Sequence, residues 1–240
     1  MSPELVEKLE NEQNWDVKVF NDNPVFPFVV IDNWYTPREE SAVWKELDFF
    51  SATPKENIER AESTIVARDP KGNSLSNAYR FYIEEFYQKR DLSPIINCTY
   101  KQKLPRFHKI LLDNLQPYAR SFPSTNGDSA LISYYEESDY YKPHHDTFLW
   151  TCLIWMVREP RLFNGGDFTF PEPEVEVKLK SNRMVMFPSC YLHGVDPIKF
   201  HTQPKEIGYG RYCITHFYYS TPGDKKQYST PGNKKENEDK

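Results

Sequence analysis

The sequence has 240 residues, of which 38% are hydrophobic and 15% are aromatic, and its formal net charge is -5 at pH 7. A chain so rich in aromatic residues is not disordered over most of its length, and its negative charge argues against a general nucleic-acid binder with a broad positive face. The sequence contains no apolar run of about 18 residues, so no helix is expected to span a membrane.

The first residues are polar and acidic, without the basic start and apolar stretch of a secretory signal peptide. The four cysteines, Cys98, Cys152, Cys190 and Cys213, are widely spaced and form no CxxC pair. Together these features predict reduced thiols and a cytoplasmic location.

The chain up to about residue 128 is predicted to be a mixed α/β part. Its predicted elements, in order, are a helix opening at Ser2-Pro3, strands over 15–20 and 25–31, a helix from the capping box at Thr36 to about Phe50, and a helix over 106–122. Residues 51–80 are polar and irregular, which predicts a long loop. The arginines of this loop, Arg60, Arg68 and Arg80, are most simply interpreted as solvated.

From about residue 129 the sequence changes to short apolar, aromatic and β-branched runs separated by turn signals. The runs cover 130–135, 148–157, 166–170, 175–179, 183–187, 194–198 and 211–219. Short strands at this spacing favour a sandwich or barrel, and a jelly roll closes about eight of them. We therefore predict one domain over 1–220 that is mainly β with N-terminal helices, with a jelly-roll core over about 129–220.

The last residues, 221–240, form a polar tail. The sequence Tyr-Ser-Thr-Pro-Gly starts at Tyr219 and again nine residues later at Tyr228. Tyr228 is the one apolar residue in the tail, so ordering it would bury too little surface to offset the lost entropy. We expect a flexible, solvated tail, with a role in partner binding or targeting as the less simple alternative.

One short segment, Tyr141-Lys-Pro-His144-His145-Asp146, places a carboxylate two residues after an imidazole. In an extended chain these two side chains share a face, so His144 and Asp146 can reach one metal ion while His145 points away. His193, which follows a later predicted strand, can supply a second imidazole. Two histidines and one carboxylate match the facial triad of non-haem Fe(II) oxygenases, although zinc also accepts these donors.

The final predicted strand carries a single arginine, Arg211, in an otherwise apolar run. An arginine in a core strand is costly unless it is paired, and a guanidinium can bind a carboxylate through two hydrogen bonds. An anionic ligand is therefore one candidate partner, with Thr215 on the same side of the strand. An ordinary ion pair with one of the 35 acidic residues is the alternative.

Four stretches in order resemble the 2-oxoglutarate- and Fe(II)-dependent oxygenases, and within them the prolyl 4-hydroxylase type. The stretches are Tyr135 to Asp146, Asn164-Gly165-Gly166 to Pro171, Arg183 to His193, and Arg211-Tyr-Cys-Ile-Thr215 to Tyr218. The resemblance covers roughly residues 25–219. None of the four stretches alone is a strong sign of this family, but the four together in this order are.

The resemblance implies a double-stranded β-helix that holds Fe(II) through His144, Asp146 and His193. It implies 2-oxoglutarate and O2 as cosubstrates, leaves ascorbate open as an accessory cofactor, and places Arg211 and Thr215 at the cosubstrate. The implied reaction hydroxylates a C–H bond of a prolyl residue in a peptide or protein and releases succinate and CO2. The same chemistry on a free amino acid, a small metabolite or a nucleobase is an alternative, and a non-catalytic β-sandwich binding module is another.

Two features around the cosubstrate depart from the family pattern. Trp155 stands where many relatives have a tyrosine that donates a hydrogen bond to 2-oxoglutarate; its indole N–H remains a donor, and Tyr135 is the candidate substitute. Residues 198–207 lengthen the connection to Arg211, and Lys205 within them is an alternative carboxylate anchor.

The substrate side is expected to be formed by Tyr141 and the loop 51–80. The aromatic residues expected to line a pocket around the iron are Tyr134, Tyr135, Tyr140, Tyr141, Phe148, Trp150 and Trp155, with ordinary core packing as the simpler account for several of them. The expected partner is a peptide, protein or small-molecule substrate, because the sequence carries no strong signal for nucleic acid or membrane binding.

Overall fold

The computed structural model of the protein describes residues 1–52 and 66–221. Arg60 and the tail from residue 222 lie outside the described residues, so the expectation of a flexible tail stays a prediction. No described helix combines the length and the apolar character that crossing a membrane requires. All four cysteines are free thiols, and the cytoplasmic location stays a prediction.

The helices of the described chain lie mainly before the β core. They are α1 (Pro3–Asn11), α2 (Pro37–Ser51), α3 (Pro94–Asn97) and α4 (Pro105–Asn114), with shorter 3-10 segments at Ile83–Glu85, Arg90–Leu92, Cys98–Lys103 and Tyr118–Ser124. The predicted caps are present: the Ser2 hydroxyl accepts from Leu5 N, and Thr36 forms a complete capping box with Glu39.

The strands form two main sheets and a short pair. They are β1 (Asp16–Phe20), β2 (Phe28–Asp32), β3 (Ser76–Asn77), β4 (Tyr79–Tyr82), β5 (Gly127–Tyr135), β6 (Tyr140–His144), β7 (Trp150–Met156), β8 (Phe163–Gly165), β9 (Phe168–Phe170), β10 (Val175–Val177), β11 (Arg183–Pro188), β12 (His193–Val195), β13 (Ile198–Phe200) and β14 (Arg211–Tyr219). The larger sheet has seven strands in the order β1-β2-β11-β7-β14-β5-β4, and the smaller has five in the order β10-β9-β12-β6-β3.

The larger sheet separates two apolar cores because successive side chains of a strand point to opposite faces. Ile154 and Ile214 lie in the outer core, which the helices cover with residues such as Leu47 and Phe107. The inner core lies between the two sheets and includes Trp155, Leu153 and Cys213 from the larger sheet. These cores contain the buried side chains that hold the sheets together, and the inner one borders the site described below.

The predicted fold class is confirmed: the chain is mainly β with N-terminal helices, and its core is a double-stranded β-helix. Two sequence predictions were wrong in detail. Residues 51–80 are not all irregular, because β3 and the start of β4 fall within them. The helix predicted over 106–122 ends at Asn114, just before the cis Gln116-Pro117 peptide, and a 3-10 segment follows.

Residues 198–207 begin with β13, which pairs with β8, so the stretch predicted to be an inserted loop starts as a strand.

The smaller sheet contains strands that were not predicted from the sequence. Its strand β6 runs directly into the His-x-Asp motif and pairs with β12, so that the motif starts from a fixed strand end.

Candidate metal centre

The three predicted metal ligands meet between the sheets. His144 ends β6 and lies directly opposite His193, the first residue of β12. Asp146 follows two residues after His144 and reaches both imidazoles: its carboxylate oxygens lie 3.6 Å from His144 Nε2 and 3.4 Å from His193 Nε2. One donor atom from each residue fits within 4.8 Å of the others. In the described part of the chain, no other group of three or more His, Cys, Asp or Glu residues has ligand atoms this close together.

Backbone carbonyls orient both imidazoles. His144 Nδ1 donates to the Lys142 carbonyl at 3.0 Å, and His193 Nδ1 donates to the Tyr191 carbonyl at 2.8 Å. Since a carbonyl oxygen can only accept, each Nδ1 carries the proton and each Nε2 keeps its lone pair. Both lone pairs therefore belong to the nitrogen atoms that face Asp146, which is the form that a metal ion needs.

Two hydroxyl groups fix the third donor. Thr151 on β7 donates to Asp146 Oδ2 at 2.7 Å, and the hydroxyls of Thr151 and Ser189 lie 2.8 Å apart. The Asp146 backbone N–H also donates to the Ser189 carbonyl at 3.1 Å. The carboxylate is thus held in place by neighbouring strands of the larger sheet before any ion is bound.

The electrostatics favour the ligating protonation states at neutral pH. Burial opposes ionisation of Asp146, but hydrogen bonding to His144, the charges that His193 and His144 carry when protonated, and the hydrogen bond from Thr151 outweigh it, so the pKa of Asp146 lies below its usual value. Burial lowers the pKa of His193 to about 4, although Asp146 partly opposes this shift. Asp146 is therefore ionised and His193 is neutral, as metal binding requires.

A cavity of about 420 Å³ opens at these three residues, a size within the range of small-ligand pockets. Its other walls come from the inner face of the larger sheet, including Leu131, Tyr135 and Thr215. Tyr141 also lines it, stacking on the His144 ring at a centroid distance of 3.5 Å. The metal-ligand group thus lies in the wall of a space that can hold a small molecule.

Arg211 lies fully buried on the same inner face and does not itself line the cavity. Its Nε donates to the Gly166 carbonyl at 3.0 Å, whereas Nη1 and Nη2 have no hydrogen-bond partner among the described residues. Its guanidinium carbon lies 5.0 Å from the centre of the Tyr135 ring, which lines the cavity. This guanidinium can bind an anionic group through its two free nitrogens, and such binding is favourable because an unpaired buried cation is costly.

The Gly165-Gly166 turn explains how Arg211 is held against the backbone. Both glycines have positive φ, of 78° and 77°. A Cβ on Gly166 would approach Arg211 Cδ to 3.1 Å and Ile198 Cγ2 to 2.9 Å, and one on Gly165 would collide with the Pro197 carbonyl oxygen. Glycine is needed at both positions, both for the turn and for the close approach of the neighbouring strand.

Comparison with known proteins fits this geometry. Residues 130–219 match the family described as the 2OG-Fe(II) oxygenase superfamily, and this range includes the triad and Arg211. The chain is similar to this superfamily over its β core. The oxygenases of this family use Fe(II), 2-oxoglutarate and O2, and the two imidazoles and one carboxylate of the triad are donors that suit Fe(II).

Solved structures show the same fold at low sequence identity. A Pseudomonas putida prolyl-4-hydroxylase is 14% identical with a TM-score of 0.51, covering 91% of this chain and 98% of that one. A truncated viral collagen prolyl hydroxylase from Paramecium Bursaria Chlorella virus-1 is 12% identical with a TM-score of 0.50, covering 81% and 90%. No curated protein sequence matches the chain.

The other residues predicted for the cosubstrate lie in different places in the structure. Tyr135 and Thr215 line the cavity. Trp155 is fully buried behind them, does not line the cavity, and its Nε1 has no partner among the described residues. Lys205 is exposed and does not line the cavity either. No acidic side chain among the described residues pairs with Arg211. Of Arg211 and Lys205, Arg211 is therefore the buried candidate for binding an anion.

The predicted ring of aromatic residues around the iron was partly wrong. Tyr135, Tyr141 and Phe148 line the cavity, but Tyr140 does not. Tyr134 and Trp150 belong to the outer core and pack on the opposite face of the larger sheet. Strand alternation explains the error, because neighbours in sequence such as Tyr134 and Tyr135 must face opposite sides.

Arg80 lies in the cavity wall rather than in solvent. The loop 51–80 was expected on the substrate side, but its arginines were most simply interpreted as solvated, whereas Arg80 lies on β4 with only 6% of its surface exposed and lines the cavity. The signal was present in the run from Ala78 to Ile83, where Arg80 is the one charged residue among apolar and aromatic neighbours. The argument used for Arg211 applies equally to this strand.

Proposed function

We propose that this oxygenase hydroxylates a C–H bond of a prolyl residue in a peptide or protein and releases succinate and CO2. In this proposal His144, Asp146 and His193 bind Fe(II), and Arg211 binds the far carboxylate of 2-oxoglutarate. The observation that carries the chemistry is the convergence of the triad on a cavity that is flanked by a buried guanidinium with unpaired nitrogens.

When bound, Fe(II) and 2-oxoglutarate would supply the electrons that reduce O2, and one oxygen atom would be inserted into the C–H bond of the substrate. The protein residues prepare the site for this. Thr151 holds the Asp146 carboxylate, and the Lys142 and Tyr191 carbonyls fix the imidazoles. Such preorganisation keeps the reacting groups aligned.

The cosubstrate would lie along the inner face of the larger sheet. Thr215 and Tyr135 line this part of the cavity and offer hydroxyl groups, while Arg211 lies at the start of β14, opposite Tyr135. Trp155 packs beside the guanidinium, its ring centre 5.4 Å from the guanidinium carbon. Trp155 keeps its proposed role at the cosubstrate, because its buried Nε1 has no partner among the described residues and can donate beside Arg211.

The prolyl substrate is proposed on two grounds. The first is the resemblance of the four sequence stretches to the prolyl 4-hydroxylase type, with the two fold neighbours named as prolyl hydroxylases. The second is the apolar lining on the metal side of the cavity, which includes Leu131, Phe148 and Phe217. A pyrrolidine ring is uncharged and compact, so burying it among these side chains is favourable. Tyr141 and the end of the predicted substrate loop at Val66 and Ala67 form the adjoining wall.

The test is a direct assay of the modified product. The protein with Fe(II), 2-oxoglutarate and O2 is expected to add one oxygen atom to a proline-rich peptide, as read by mass spectrometry, and to do so only with an intact triad. His144→Ala is the matched loss-of-metal variant. Turnover of 2-oxoglutarate that is equal in both proteins would contradict the iron assignment, whereas oxygen added only to nucleotides or free amino acids would contradict the prolyl substrate.

A free amino acid is the second candidate substrate, and Arg80 is the observation that favours it. A free amino acid carries a carboxylate that a prolyl residue within a peptide lacks, and Arg80 places a buried cation in the cavity wall. The same assay with single amino acids separates the two candidates.

A further inference from the structure

Arg80 is joined to the metal centre by stacked side chains. Its guanidinium carbon lies 4.1 Å above the centre of the Tyr141 ring, and the Tyr141 ring in turn stacks on His144 at 3.5 Å. Nη2 donates to the Ser76 hydroxyl at 2.6 Å. The cation is thus held in a defined place, one ring away from a proposed iron ligand.

No carboxylate neutralises this cation within the described residues. Arg80 takes part in no ion pair there, and its buried Nε has no hydrogen-bond partner. The neighbouring oxygens belong to Ser76 and to the phenols of Tyr135 and Tyr141. Burial acts to lower the pKa of Arg80, but its contacts with the two phenol groups outweigh this effect and keep the pKa above its usual value.

The acidic group closest to this region is already committed. Among the residues that the structure describes, Asp146 is the one carboxylate in the cavity wall, and it belongs to the metal-ligand group. The remaining cavity-lining groups that can titrate are imidazoles, phenols and the Cys213 thiol. A buried cation that has no counter-charge among residues 1–52 and 66–221 is unfavourable, which indicates that an anion bound from outside these residues completes the site.

Arg80 and Arg211 are separate positions on the same inner face. Across the larger sheet, Arg80 pairs with Ser133, whereas Arg211 pairs with Tyr135, two residues further along β5. One molecule of 2-oxoglutarate has a single far carboxylate, and Arg211 with its two unpaired nitrogens is the proposed site for it. Arg80, which lies on the edge strand β4 beside Tyr141, is left for a second anion.

We propose that Arg80 binds a carboxylate group of the substrate and so determines which prolyl or amino-acid substrates the oxygenase accepts. This inference rests on the proposed function only for the identity of the hydroxylated group. The carboxylate has two sources, the α-carboxylate of a free or C-terminal residue and the side chain of an acidic residue beside the target. A guanidinium suits either source, because it makes charge-assisted hydrogen bonds to carboxylates.

The test compares three pairs of probes that differ only in acid against amide. The pairs are L-proline and L-prolinamide, a peptide with Asp-Pro and the same peptide with Asn-Pro, and the corresponding Asp-Ala and Asn-Ala peptides. Binding is measured by calorimetry on the full chain loaded with Zn(II) and 2-oxoglutarate, so no turnover is required. We expect the acid of at least one pair to bind about ten- to a hundredfold more tightly than its amide.

The variant Arg80→Gln is expected to remove this preference and to leave the affinity for 2-oxoglutarate unchanged. Arg80→Lys retains the charge and is expected to keep part of the preference, and Arg120→Gln, an exposed arginine far from the cavity, is the matched control. The wild-type comparison requires no variant, so the proposal remains testable even where Arg80→Gln does not fold.

Three results would overturn the inference: equal binding of acid and amide in every pair, a preference that persists in Arg80→Gln, or a loss of 2-oxoglutarate affinity in that variant. The last result would make Arg80 the cosubstrate anchor. The turnover assay proposed above separates this inference from the prolyl substrate. A binding preference in the alanine pair alone, with no hydroxylation of prolyl probes in that assay, would reject the prolyl substrate and keep the Arg80 site. Hydroxylation of prolyl probes with no binding preference for any acid would reject the Arg80 site and keep the prolyl substrate.

Discussion

Thr151 donates its hydroxyl hydrogen to Asp146 Oδ2 at 2.7 Å. The two residues lie on either side of a turn, and the contact joins the end of the His-x-Asp motif to the first residues of β7, a central strand of the larger sheet. Ser189, from the end of β11, completes the link through its hydroxyl and its carbonyl. The orientation of the carboxylate is therefore set by the sheet rather than by the loop that carries it.

Replacing Thr151 by valine is expected to weaken metal binding by about 10- to 100-fold, the usual effect of removing a group that orients a metal ligand. Valine keeps the shape of the side chain but cannot donate to Asp146. The measurement is the dissociation constant for Fe(II) or Co(II), taken with the melting temperature of the metal-free protein.

Thr151→Ser is the matched control for that variant, because serine retains the hydroxyl and loses only a methyl group. It is expected to keep most of the metal affinity. Equal affinities of the wild-type, serine and valine proteins would show that the hydroxyl does not orient the carboxylate.

Arg211→Met is expected to lower the affinity for 2-oxoglutarate at least tenfold without lowering the stability of the metal-free protein. Removing a buried charge that has two unpaired nitrogens relieves an unfavourable burial, and the methionine chain still packs beside Trp155. The measurements are 2-oxoglutarate titration and chemical denaturation. Lys205→Ala removes the exposed alternative anchor and is expected to change neither; a loss of cosubstrate binding in that variant alone would move the anchor to Lys205.

Gly166→Ala tests the packing of Arg211 against its turn. Alanine at a φ of 77° is strained, and its Cβ would also meet Arg211 Cδ at 3.1 Å, so we expect a loss of about 1–3 kcal/mol in the free energy of unfolding together with weaker 2-oxoglutarate binding. Gly72→Ala is the control, since Gly72 has a φ of 83° but a Cβ there meets nothing within 4 Å. Equal effects of both variants on cosubstrate binding would contradict the role of the Gly166 contact.

The sequence predicts the parts of this protein whose signals are local. Thr36 and Glu39 form the predicted capping box, and the strand over 211–219 has the predicted bounds. The metal-ligand group could be anticipated because two of its residues are two positions apart on one extended segment. His193 comes from a different strand, and its register opposite His144 is a property of the sheet that no local pattern encodes.

The errors have two sources. Arg80 is the one charged residue in the apolar and aromatic run from Ala78 to Ile83, but its position on the inner face depends on the pairing of β4 with β5. The helix that starts at Pro105 keeps its apolar spacing as far as Tyr118, but its hydrogen bonding ends near Asn114. Pro117 is a local reason for this end, because proline disfavours the helical conformation of the residue before it.

His216 predicts a pH dependence of stability that is separate from metal binding. Burial lowers its pKa to about 4, so the unfolded chain takes up a proton near its usual value, about 6.5, before the folded protein does. The free energy of unfolding of the metal-free protein is therefore expected to fall as the pH decreases from about 6.5 towards 4. His216→Phe should reduce this slope and His201→Gln, at an exposed position, should not; an unchanged slope in His216→Phe would contradict the assignment.

The central claim is that His144, Asp146 and His193 form one Fe(II) site to which 2-oxoglutarate binds, and an anaerobic titration tests it most directly. Adding Fe(II) and then 2-oxoglutarate to metal-free protein is expected to give one bound iron per chain and a visible absorption band that depends on 2-oxoglutarate. His193→Ala should abolish both. Tight binding of one zinc ion with no such band on addition of Fe(II) and 2-oxoglutarate, or an undiminished band in His193→Ala, would contradict the account.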